Sequence, residues 1–377
     1  MRPDATPIPF IDIGAQRRRL GTAIDDAVAK VLTHCQFVMG PEVRELEAEL
    51  SKFCGAKHTI SCASGTDALV MVLMAKGVGP GDAVFCPSFT FCATAESVVI
   101  VGATPVFVDV DEKTFNIDLA SLEQAIKETK RGKLNAKAII PVDLFGQPAD
   151  LDAVAAIAKR EGLFVISDAA QSFGATYKGK RVGTQALATT TSFFPAKPLG
   201  CYGDGGAIFT DDDQLADVLR SVRVHGQGTD KYDNIRIGIT GRLDTIQAAV
   251  LLEKLRIFPD EIEARNRVAA RYAAGLKDVA IVPEVPAGYG SVWAQYTIRV
   301  ANRDALGPAL QKRGVPTAIY YPKPVHRQTA YRDFPAAGNG LPVTDRISAD
   351  VIALPMHPYL DEATQDRVIA AVRESLS

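Results

Sequence analysis

The sequence predicts an α/β protein: a large domain with a mostly parallel, seven-stranded sheet and a smaller α+β domain at the C-terminal end. Short apolar segments alternate with helical segments between residues 58 and 223, a pattern typical of parallel sheets. Small and acidic residues directly follow several of these segments, at the strand ends where such sheets bind ligands. Beyond residue 250 the pattern changes to shorter strands. We therefore place the large domain at residues 1–250 and the small domain at residues 251–377.

The large domain begins with two predicted helices. Apolar residues recur at helical spacing in residues 12–34 and 42–53, and Pro41 suits the first turn of the second helix. Apolar segments then predict the seven strands, at residues 58–62, 83–87, within 98–110, 137–142, 163–167, 190–197 and 206–210. Helical spacing predicts the intervening and following helices, among them residues 151–160, 212–223 and 244–255.

The C-terminal domain mixes short strands with helices. A long helix is predicted at residues 259–276, and strands at residues 293–300 and 317–321. Two further helices, at residues 303–313 and 361–375, complete a small α+β layer.

Composition and charge exclude several classes of function. The chain has 377 residues, of which 47% are apolar and 23% charged, and a formal net charge of −2. Neither a nucleic acid nor an anionic membrane is therefore an expected partner. The N-terminus carries Asp4 and three prolines and lacks the apolar core of a signal peptide. The uncharged stretches on either side of Glu96 are each shorter than the roughly 20 apolar residues of a spanning helix.

The six cysteines are scattered, with no CxxC pair and no cysteine–histidine cluster of metal-ligand spacing. Scattered cysteines in a chain without an export signal are typical of reduced, mostly buried thiols. We therefore predict a cytoplasmic location and no metal site.

The most informative stretch is residues 192–206, SFFPAKPLGCYGDGG, where Lys197 stands between two prolines and is followed by four glycines. Prolines fix φ and lack an N–H, and glycines reach conformations closed to other residues, so the stretch predicts a shaped loop that presents one amine. A desolvated lysine of this kind can form a Schiff base with an aldehyde or ketone. A surface turn with a solvated lysine is the alternative from this stretch alone.

Two further features complete a pattern around Lys197. SGTDAL at residues 64–69 places Gly65 and Thr66 at the start of a helix, where unpaired N–H groups and the helix dipole favour a phosphate. Simple helix capping is the alternative for this turn, and also for Asp168, which ends a predicted strand. A Schiff-base lysine, an acid and a phosphate-binding turn are the parts needed to hold pyridoxal 5′-phosphate (PLP). Asp168 would keep the pyridine nitrogen protonated.

An aromatic face is also needed against the pyridine ring of PLP. Phe89 and Phe91 follow the same predicted strand, and either could supply that face. The core is the ordinary place for a phenylalanine, so packing is the alternative for both. The hydroxyl of Ser192 would lie within reach of the phosphate.

Five motifs occur in the order in which one known family has them: SGTDAL (64–69), PSFTFCATA (87–95), DAAQSFGA (168–175), SFFPAKPLGCYGDGGA (192–207) and GRLDTIQAA (241–249). Together they resemble the nucleotide-sugar aminotransferases of the DegT/DnrJ/EryC1/StrS type, which have the aspartate-aminotransferase fold (fold type I of PLP enzymes). The resemblance runs from about Ile8 to the C-terminus.

The resemblance implies roles for residues within these motifs. Lys197 matches the lysine that forms a Schiff base with PLP, and Asp168 matches the carboxylate paired with the pyridine nitrogen. The remaining matches are cofactor contacts: Phe91 stacked on the ring, Gln171 near the 3′-oxygen, and Gly65, Thr66 and Ser192 at the phosphate. The family works as a homodimer in which residues 238–244 of the neighbouring chain complete each site.

The sequence departs from the family pattern within residues 238–244. The family commonly has Asn at the position of Thr240, whose shorter side chain could still donate its hydroxyl to the phosphate. Arg242 matches an arginine that meets the substrate carboxylate in relatives acting on uronic acid sugars. The bidentate guanidinium suits that task.

Residues 320–328, YYPKPVHRQ, resemble the HYP-type segment that lines the sugar site, with Tyr320 in place of a frequent histidine. Tyr321 and His326 follow in the same segment. Each of them either contacts the substrate or packs.

The resemblance implies ping-pong transamination with L-glutamate as amino donor and a nucleotide-linked keto sugar as acceptor, in the synthesis of surface polysaccharides. The sequence around Lys197 is most similar to that of members which aminate C3 of a UDP-3-keto sugar, including UDP-2-acetamido-2-deoxy-3-oxo-glucuronate. The alternatives are amination at C4, a dehydratase, and a non-catalytic relative that binds cofactor or nucleotide sugar. Dehydratases of the family carry His in place of Lys197, and the complete set of cofactor residues argues against a non-catalytic protein.

Overall fold

A computed structural model describes residues 7–230 and 232–376. Its strands are β1 (His58–Cys62), β2 (Asp82–Pro87), β3 (Thr104–Val108), β4 (Asn135–Ile139), β5 (Phe164–Asp168), β6 (Thr176–Tyr177), β7 (Lys180–Arg181), β8 (Ala188–Ser192), β9 (Gly206–Thr210), β10 (Tyr289–Gly290), β11 (Tyr296–Arg299) and β12 (Val351–Leu354). Its helices are α1 (Ile13–Leu20), α2 (Ala23–His34), α3 (Pro41–Cys54), α4 (Gly65–Ala75), α5 (Ala93–Ile100), α6 (Leu119–Arg131), α7 (Leu151–Glu161), α8 (Asp213–Val222), α9 (Thr245–Leu276), α10 (Arg303–Lys312), α11 (Pro342–Asp350) and α12 (Glu362–Leu376).

The large domain is built on a seven-stranded sheet with the order β1-β9-β8-β5-β4-β2-β3. Neighbouring strands are parallel, except that β9 runs antiparallel to both β1 and β8. Every residue of β9 and all but the first of β2 are buried, as expected of strands covered by helices on both faces. The predicted mostly parallel sheet is confirmed.

The carboxyl ends of β1, β8, β5, β4 and β2 meet at one edge of this sheet, because these strands run in the same direction. Gly206, where β9 begins, pairs with both Cys62 and Ser192 at this edge. Asp168 is the last residue of the central strand β5. The fold therefore brings segments that are far apart in sequence together at this edge of the sheet.

The small domain is centred on the antiparallel pair β11–β12. Its core contains the buried side chains of Tyr272, Tyr296, Leu306 and Val368, contributed by α9, β11, α10 and α12. Ile8 of the N-terminal segment also packs into this core. The predicted smaller C-terminal domain is present, and the chain's N-terminal segment lies against it.

Helix α9 runs without interruption from one core to the other. Leu251 and Phe258 pack in the large domain, and Tyr272 packs in the small domain. The two helices predicted at residues 244–255 and 259–276 are therefore one, and the boundary predicted at residue 250 falls inside it. A proline in a helix interior costs about 3 kcal/mol. Burial along both halves of α9 offsets this cost.

Two predictions for the large domain differ from the structure. The helix predicted at residues 12–34 is two helices, because Gly21 (φ 57°, ψ −130°) turns the chain between α1 and α2. The strand predicted to run into Lys197 ends at Ser192, where the proline-containing loop begins. Prolines cannot donate to a strand ladder, which explains the early end.

Further differences concern both domains. Residues 317–321 contribute only the bridge between Ala318 and Ala353, in place of the predicted strand. Helices α6 and α11 and the short strands β6, β7, β10 and β12 are additional to the elements that we predict from the sequence. Within residues 7–230 and 232–376, no helix has the length and apolar character needed to cross a membrane.

Candidate active site

The turn between β1 and α4 is suited to an anion. Ser64 caps the helix, with its Oγ accepting a hydrogen bond from the Asp67 N–H at 3.0 Å. Gly65 and Thr66 form the first turn of α4, where N–H groups have no carbonyl partner in a preceding turn. A Cβ on Gly65 would lie 2.7 Å from the Ser192 Cβ, so the glycine lets the helix start approach the end of β8. Capping by Ser64 thus leaves Gly65, Thr66 and Ser192 available to a phosphate.

Asp168 is buried at the end of β5. Its Oδ2 accepts a hydrogen bond from Thr94 Oγ1 at 2.9 Å, and its Oδ1 accepts one from the Ala170 N–H at 3.2 Å. Burial raises the pKa of Asp168 above its ordinary value, and these two donors and the charge of Lys197 oppose the rise. A carboxyl in this state favours a cationic partner.

Lys197 lies half-buried on the loop of residues 193–206, which we call the Lys197 loop. Its N–H donates to the Phe194 carbonyl at 2.8 Å. Burial lowers the pKa of the Lys197 ammonium, and the charge of Asp168 opposes that shift. The neutral amine is the form that attacks an aldehyde. Partial burial therefore favours the Schiff-base interpretation over a surface turn with a solvated lysine.

Gln171 is held from both ends of its amide. Its Oε1 accepts a hydrogen bond from the Phe145 N–H at 2.7 Å, and its Nε2 donates to Tyr321 Oη at 3.1 Å. The second contact brings the predicted sugar-site segment next to the DAAQ motif. The orientation of the amide is set before any ligand binds.

The two candidate phenylalanines have different surroundings. Phe89 is fully buried and packs with Phe115 and Phe145 in the core. Phe91 is 54% exposed, and its ring centroid lies 6.4 Å from that of Tyr321. Phe91 therefore has a ring face available for stacking, and Phe89 has the packing role.

Thr240 and Arg242 are close to one another in the same chain. The Arg242 Nη2 donates a hydrogen bond to Thr240 Oγ1. Their segment is anchored by the Ala63 N–H, which donates to the Gly241 carbonyl at 3.1 Å. It therefore lies beside the helix start at Gly65. Thr240 is exposed and Arg242 is half-buried.

Tyr320 and His326 lie at opposite ends of their segment. The Tyr320 ring centroid lies 6.4 Å from that of Phe10 in the N-terminal segment. His326 Nδ1 is hydrogen-bonded to Ser88 Oγ at 2.7 Å, and its Nε2 lies 3.3 Å from Asp345 Oδ1. Both nitrogens of His326 face protein groups, which favours its packing role.

The structure also contains a site residue that the sequence reasoning missed. Thr94 lies within the PSFTFCATA motif, three residues after Phe91, but nothing in the spacing connects it with Asp168, 74 residues later. The available signal was a threonine in the first turn of a predicted helix, three residues after the stacking candidate Phe91.

The arrangement fits PLP as a ligand. A buried carboxyl with a raised pKa, an amine with a lowered pKa and an open helix start lie at one sheet edge, and displaced pKa values of this kind cluster at functional sites. The close approach of Gly65 to Ser192 forms a cradle that a Cβ would fill. Asp168 is suited to the pyridinium, Lys197 to the aldehyde, and the helix start to the phosphate.

Comparison with known proteins identifies the family. The model of the DegT/DnrJ/EryC1/StrS aminotransferase family matches residues 18–373. The chain is 53% identical over 366 residues to the UDP-2-acetamido-2-deoxy-3-oxo-D-glucuronate aminotransferase of Pseudomonas aeruginosa, covering 97% of this chain and 99% of the relative. It is 41% identical over 372 residues to the UDP-N-acetyl-3-dehydro-alpha-D-glucosamine 3-aminotransferase of Acidithiobacillus ferrooxidans, covering 98% of each chain.

Comparison with solved structures leads to the same family. A DegT/DnrJ/EryC1/StrS aminotransferase from Brucella abortus, 56% identical, superposes with a TM-score of 0.97 over 98% of this chain and 100% of its own. NtdA from Bacillus subtilis, solved with the cofactor in its pyridoxamine form (PMP), is 30% identical and superposes with a TM-score of 0.89 over 100% of this chain and 86% of its own. Matches of this length and identity show that the chain belongs to the DegT/DnrJ/EryC1/StrS family of PLP-dependent aminotransferases.

Proposed function

We propose that this aminotransferase moves the amino group of L-glutamate to the C3 keto carbon of a UDP-linked sugar, with UDP-2-acetamido-2-deoxy-3-oxo-glucuronate as the first candidate. The central supporting observation is the pair formed by Lys197 and Asp168, whose charges interact and whose pKa values burial shifts in opposite directions. The choice of sugar is supported by the 53% identity to the Pseudomonas aeruginosa glucuronate enzyme. The Acidithiobacillus ferrooxidans relative is also named for a UDP sugar oxidised at C3.

Lys197 and Asp168 would divide the chemistry between them. When bound, PLP supplies an electron sink for the carbon next to an amine. Lys197 would hold the cofactor through its amine. Burial lowers its pKa, which favours the neutral amine that can take up a proton at Nζ and return it. Asp168 would hold a proton on the pyridine nitrogen. Thr94 and Ala170 orient its two oxygens for that contact.

The remaining predicted cofactor residues would fix the position of the ring and the phosphate. The N–H groups of Gly65 and Thr66 and the Ser192 hydroxyl would bind the phosphate, with Thr240 of a neighbouring chain as a further donor. Gln171 and Phe91 would contact the ring, Gln171 through an amide that Phe145 and Tyr321 already orient.

On the substrate side, Arg242 would bind the sugar carboxylate, because a guanidinium can hold both oxygens. Tyr321 would reach the sugar from the cofactor side, next to Gln171. Tyr320 would line the same site together with the N-terminal segment. We assign His326 to support of the segment, since Ser88 and Asp345 face its two ring nitrogens.

We include in the proposal a homodimer with shared sites. Apolar side chains near the site and on the segment before residue 238 are exposed: Phe37, Val38, Phe91, Phe194, Ile235 and Ile237. Exposed apolar groups on this scale mark interaction surfaces. Mixing Lys197→Ala with Arg242→Met protein should bring KM for the glucuronate back towards the wild-type value, because one site of each mixed dimer would then carry both residues. If both residues act within one chain, mixing restores nothing.

The proposed setting is the cytoplasm, with the amino sugar consumed in surface-polysaccharide synthesis. All six cysteines are free, and four of them are buried. Free thiols are typical of a reducing compartment.

The sugar assignment is tested with glutamate-treated enzyme, freed of 2-oxoglutarate and offered oxidised UDP sugars. The proposal predicts that the visible absorbance returns with the 3-keto glucuronate and not with a 4-keto sugar. A faster return with the 4-keto sugar would overturn the C3 assignment. Arg242→Met should raise KM for the glucuronate by about tenfold, roughly the energy of one charge-assisted contact. It should leave KM unchanged for the UDP-linked 3-keto N-acetylglucosamine derivative, whose sugar has no carboxylate. That substrate is therefore the matched control.

A further inference from the structure

We propose that Gln247 and Lys254 of α9 are positioning residues for Lys197. This pair, which we call the α9 clamp, holds the backbone of the Lys197 loop and so fixes the point from which the Lys197 amine reaches the cofactor. The expected effect of the clamp on catalysis rests on the proposed function. The restraint of the loop itself rests only on the contacts described below.

Lys254 is a buried lysine that contacts the Lys197 loop. Its side chain is 1% exposed, and its Nζ donates a hydrogen bond to the Gly200 carbonyl at 2.7 Å. The same Nζ lies 4.3 Å from the centroid of the Tyr202 ring, a distance typical of a cation–π contact. Burial lowers the pKa of Lys254 to about 8. The charge of Glu261 opposes that shift. The hydrogen bond and the cation–π contact of Lys254 are both with the loop that carries Lys197.

Gln247 holds the same loop two helical turns earlier. Its Oε1 accepts a hydrogen bond from the Tyr202 N–H at 2.8 Å, and its Nε2 donates to the Tyr202 carbonyl at 3.4 Å. Residues seven apart lie on one face of a helix. One face of α9 thus binds the loop at Gly200 through Lys254 and at Tyr202 through Gln247.

The contact between Lys254 and Gly200 also restrains Lys197, because the backbone of the loop is tightly packed between Gly200 and Lys197. A Cβ on Gly200 would lie 2.6 Å from the Phe194 carbonyl oxygen and 2.7 Å from that of Pro195. The Phe194 carbonyl in turn accepts the Lys197 N–H at 2.8 Å. The Gly200 backbone therefore lies directly against the turn that carries Lys197. A contact that restrains Gly200 also restrains the position of the Lys197 backbone.

A role in positioning explains why the residue is a lysine. Burying an ammonium is unfavourable, and an apolar side chain of similar volume fills a core at lower cost. Lys254 adds a directional donor that such a side chain lacks. A long lysine such as Lys197 delivers its amine reproducibly only from a fixed backbone, and displacement by about 1 Å can cost ~100-fold in rate.

The test uses Lys254→Met, Lys254→Arg and Gln247→Leu. The matched control is Lys277→Met, the same substitution at the exposed C-terminal end of the same helix. Hydrogen exchange of residues 193–206 in cofactor-free protein should rise about tenfold in Lys254→Met and Gln247→Leu. Lys254→Arg should restore part of the protection, and Lys277→Met should match the wild type. Wild-type protection in both clamp variants would overturn the proposal.

A second readout separates positioning from simple loss of stability. In the PLP-loaded protein, the pH midpoint of the visible absorbance should move by about 0.5 unit or more in both clamp variants. Gln247→Leu changes no charge, so its shift reports geometry alone. The rate of absorbance loss with saturating glutamate should fall ~10–100-fold, with the half-saturating glutamate concentration nearly unchanged. Unchanged midpoints and rates in folded variants would contradict the clamp.

Failure of the α9 clamp and failure of the proposed function give different results. If the wild-type protein binds no PLP, the proposed function fails, and hydrogen exchange in the cofactor-free protein still decides the clamp. If Lys254→Met does not fold, Gln247→Leu carries the test, because Gln247 is half-buried and uncharged.

Discussion

The hydroxyl of Thr94 donates a hydrogen bond to Oδ2 of Asp168 at 2.9 Å, both residues being buried. This contact joins the first turn of α5 to the end of β5. It favours the ionised carboxyl against the effect of burial, which raises the Asp168 pKa. The acid is thus oriented by the protein itself.

Replacing Thr94 by Val should weaken PLP binding. The substitution keeps the shape of the side chain and removes the donor to Asp168, which raises the carboxyl pKa further. We expect a loss of about 1–2 kcal/mol in cofactor affinity, the usual contribution of a hydrogen bond to a charged group. Titration of cofactor-free protein with PLP measures it. Thr94→Ser keeps the hydroxyl and should bind almost as the wild type does; equal affinity of all three proteins would contradict this role.

Asp168→Asn should separate activity from stability. An amide cannot hold a proton on the pyridine nitrogen, so kcat should fall at least ~100-fold. Burial raises the folded-state pKa of Asp168, so near pH 7 its ionised form destabilises the cofactor-free fold. The cofactor-free variant should therefore melt at the same temperature as the wild type or higher. A variant that melts well below the wild type would show that Asp168 is needed for the fold.

Asp143 should make stability depend on pH. It is fully buried, and burial raises its pKa to about 7. Since the folded pKa lies above the unfolded one, the folded state binds the extra proton between about pH 4 and 7, and stability falls as pH rises through that window. The loss is complete above about pH 7 and is on the order of 4 kcal/mol at most.

Asp143→Asn removes this titration while keeping both contacts. Its oxygen would accept from the Ala149 N–H, and its amide would donate to Ser172 Oγ, the two groups that bind Asp143 at 2.9 and 2.6 Å. The variant should melt above the wild type at pH 8, and the gain should disappear near pH 4. Thermal unfolding at both pH values gives the answer. A gain that is the same at both values would contradict the assigned titration.

Gly65→Ala should disrupt the phosphate cradle by steric conflict. The added Cβ would lie 2.7 Å from the Ser192 Cβ, closer than real Cβ contacts. The helix start must then move, and we expect PLP affinity to fall by at least about tenfold. Ser192→Gly alone removes a hydroxyl and serves as the control. The double variant should bind PLP better than Gly65→Ala; if it binds no better, the conflict is not with Ser192.

The sequence predicted the parts of the site that depend on local chemistry. Lys197 between two prolines and Asp168 at a strand end are local patterns, and strand direction alone places them at one edge. Seven strands were predicted because their apolar runs are short and bounded by turns.

Contacts between distant segments could not be predicted in this way. Thr94 reaches Asp168 across 74 positions of the sequence, and Gln171 reaches Tyr321 across 150, so no local spacing connects either pair. The helices predicted at residues 244–255 and 259–276 are one helix, because burial of both halves outweighs the local cost of Pro259. Lys254 looks like an ordinary helical lysine until its partner, Gly200, is known.

The absorbance spectrum of the purified protein, recorded before and after L-glutamate is added, tests directly whether Lys197 and Asp168 hold PLP for transamination. We expect a visible band that glutamate converts to a shorter-wavelength band, with release of 2-oxoglutarate, and no such band in Lys197→Ala. A protein that stays colourless after incubation with PLP, or a band that glutamate leaves unchanged, would contradict the assignment of a glutamate-dependent aminotransferase built around Lys197 and Asp168.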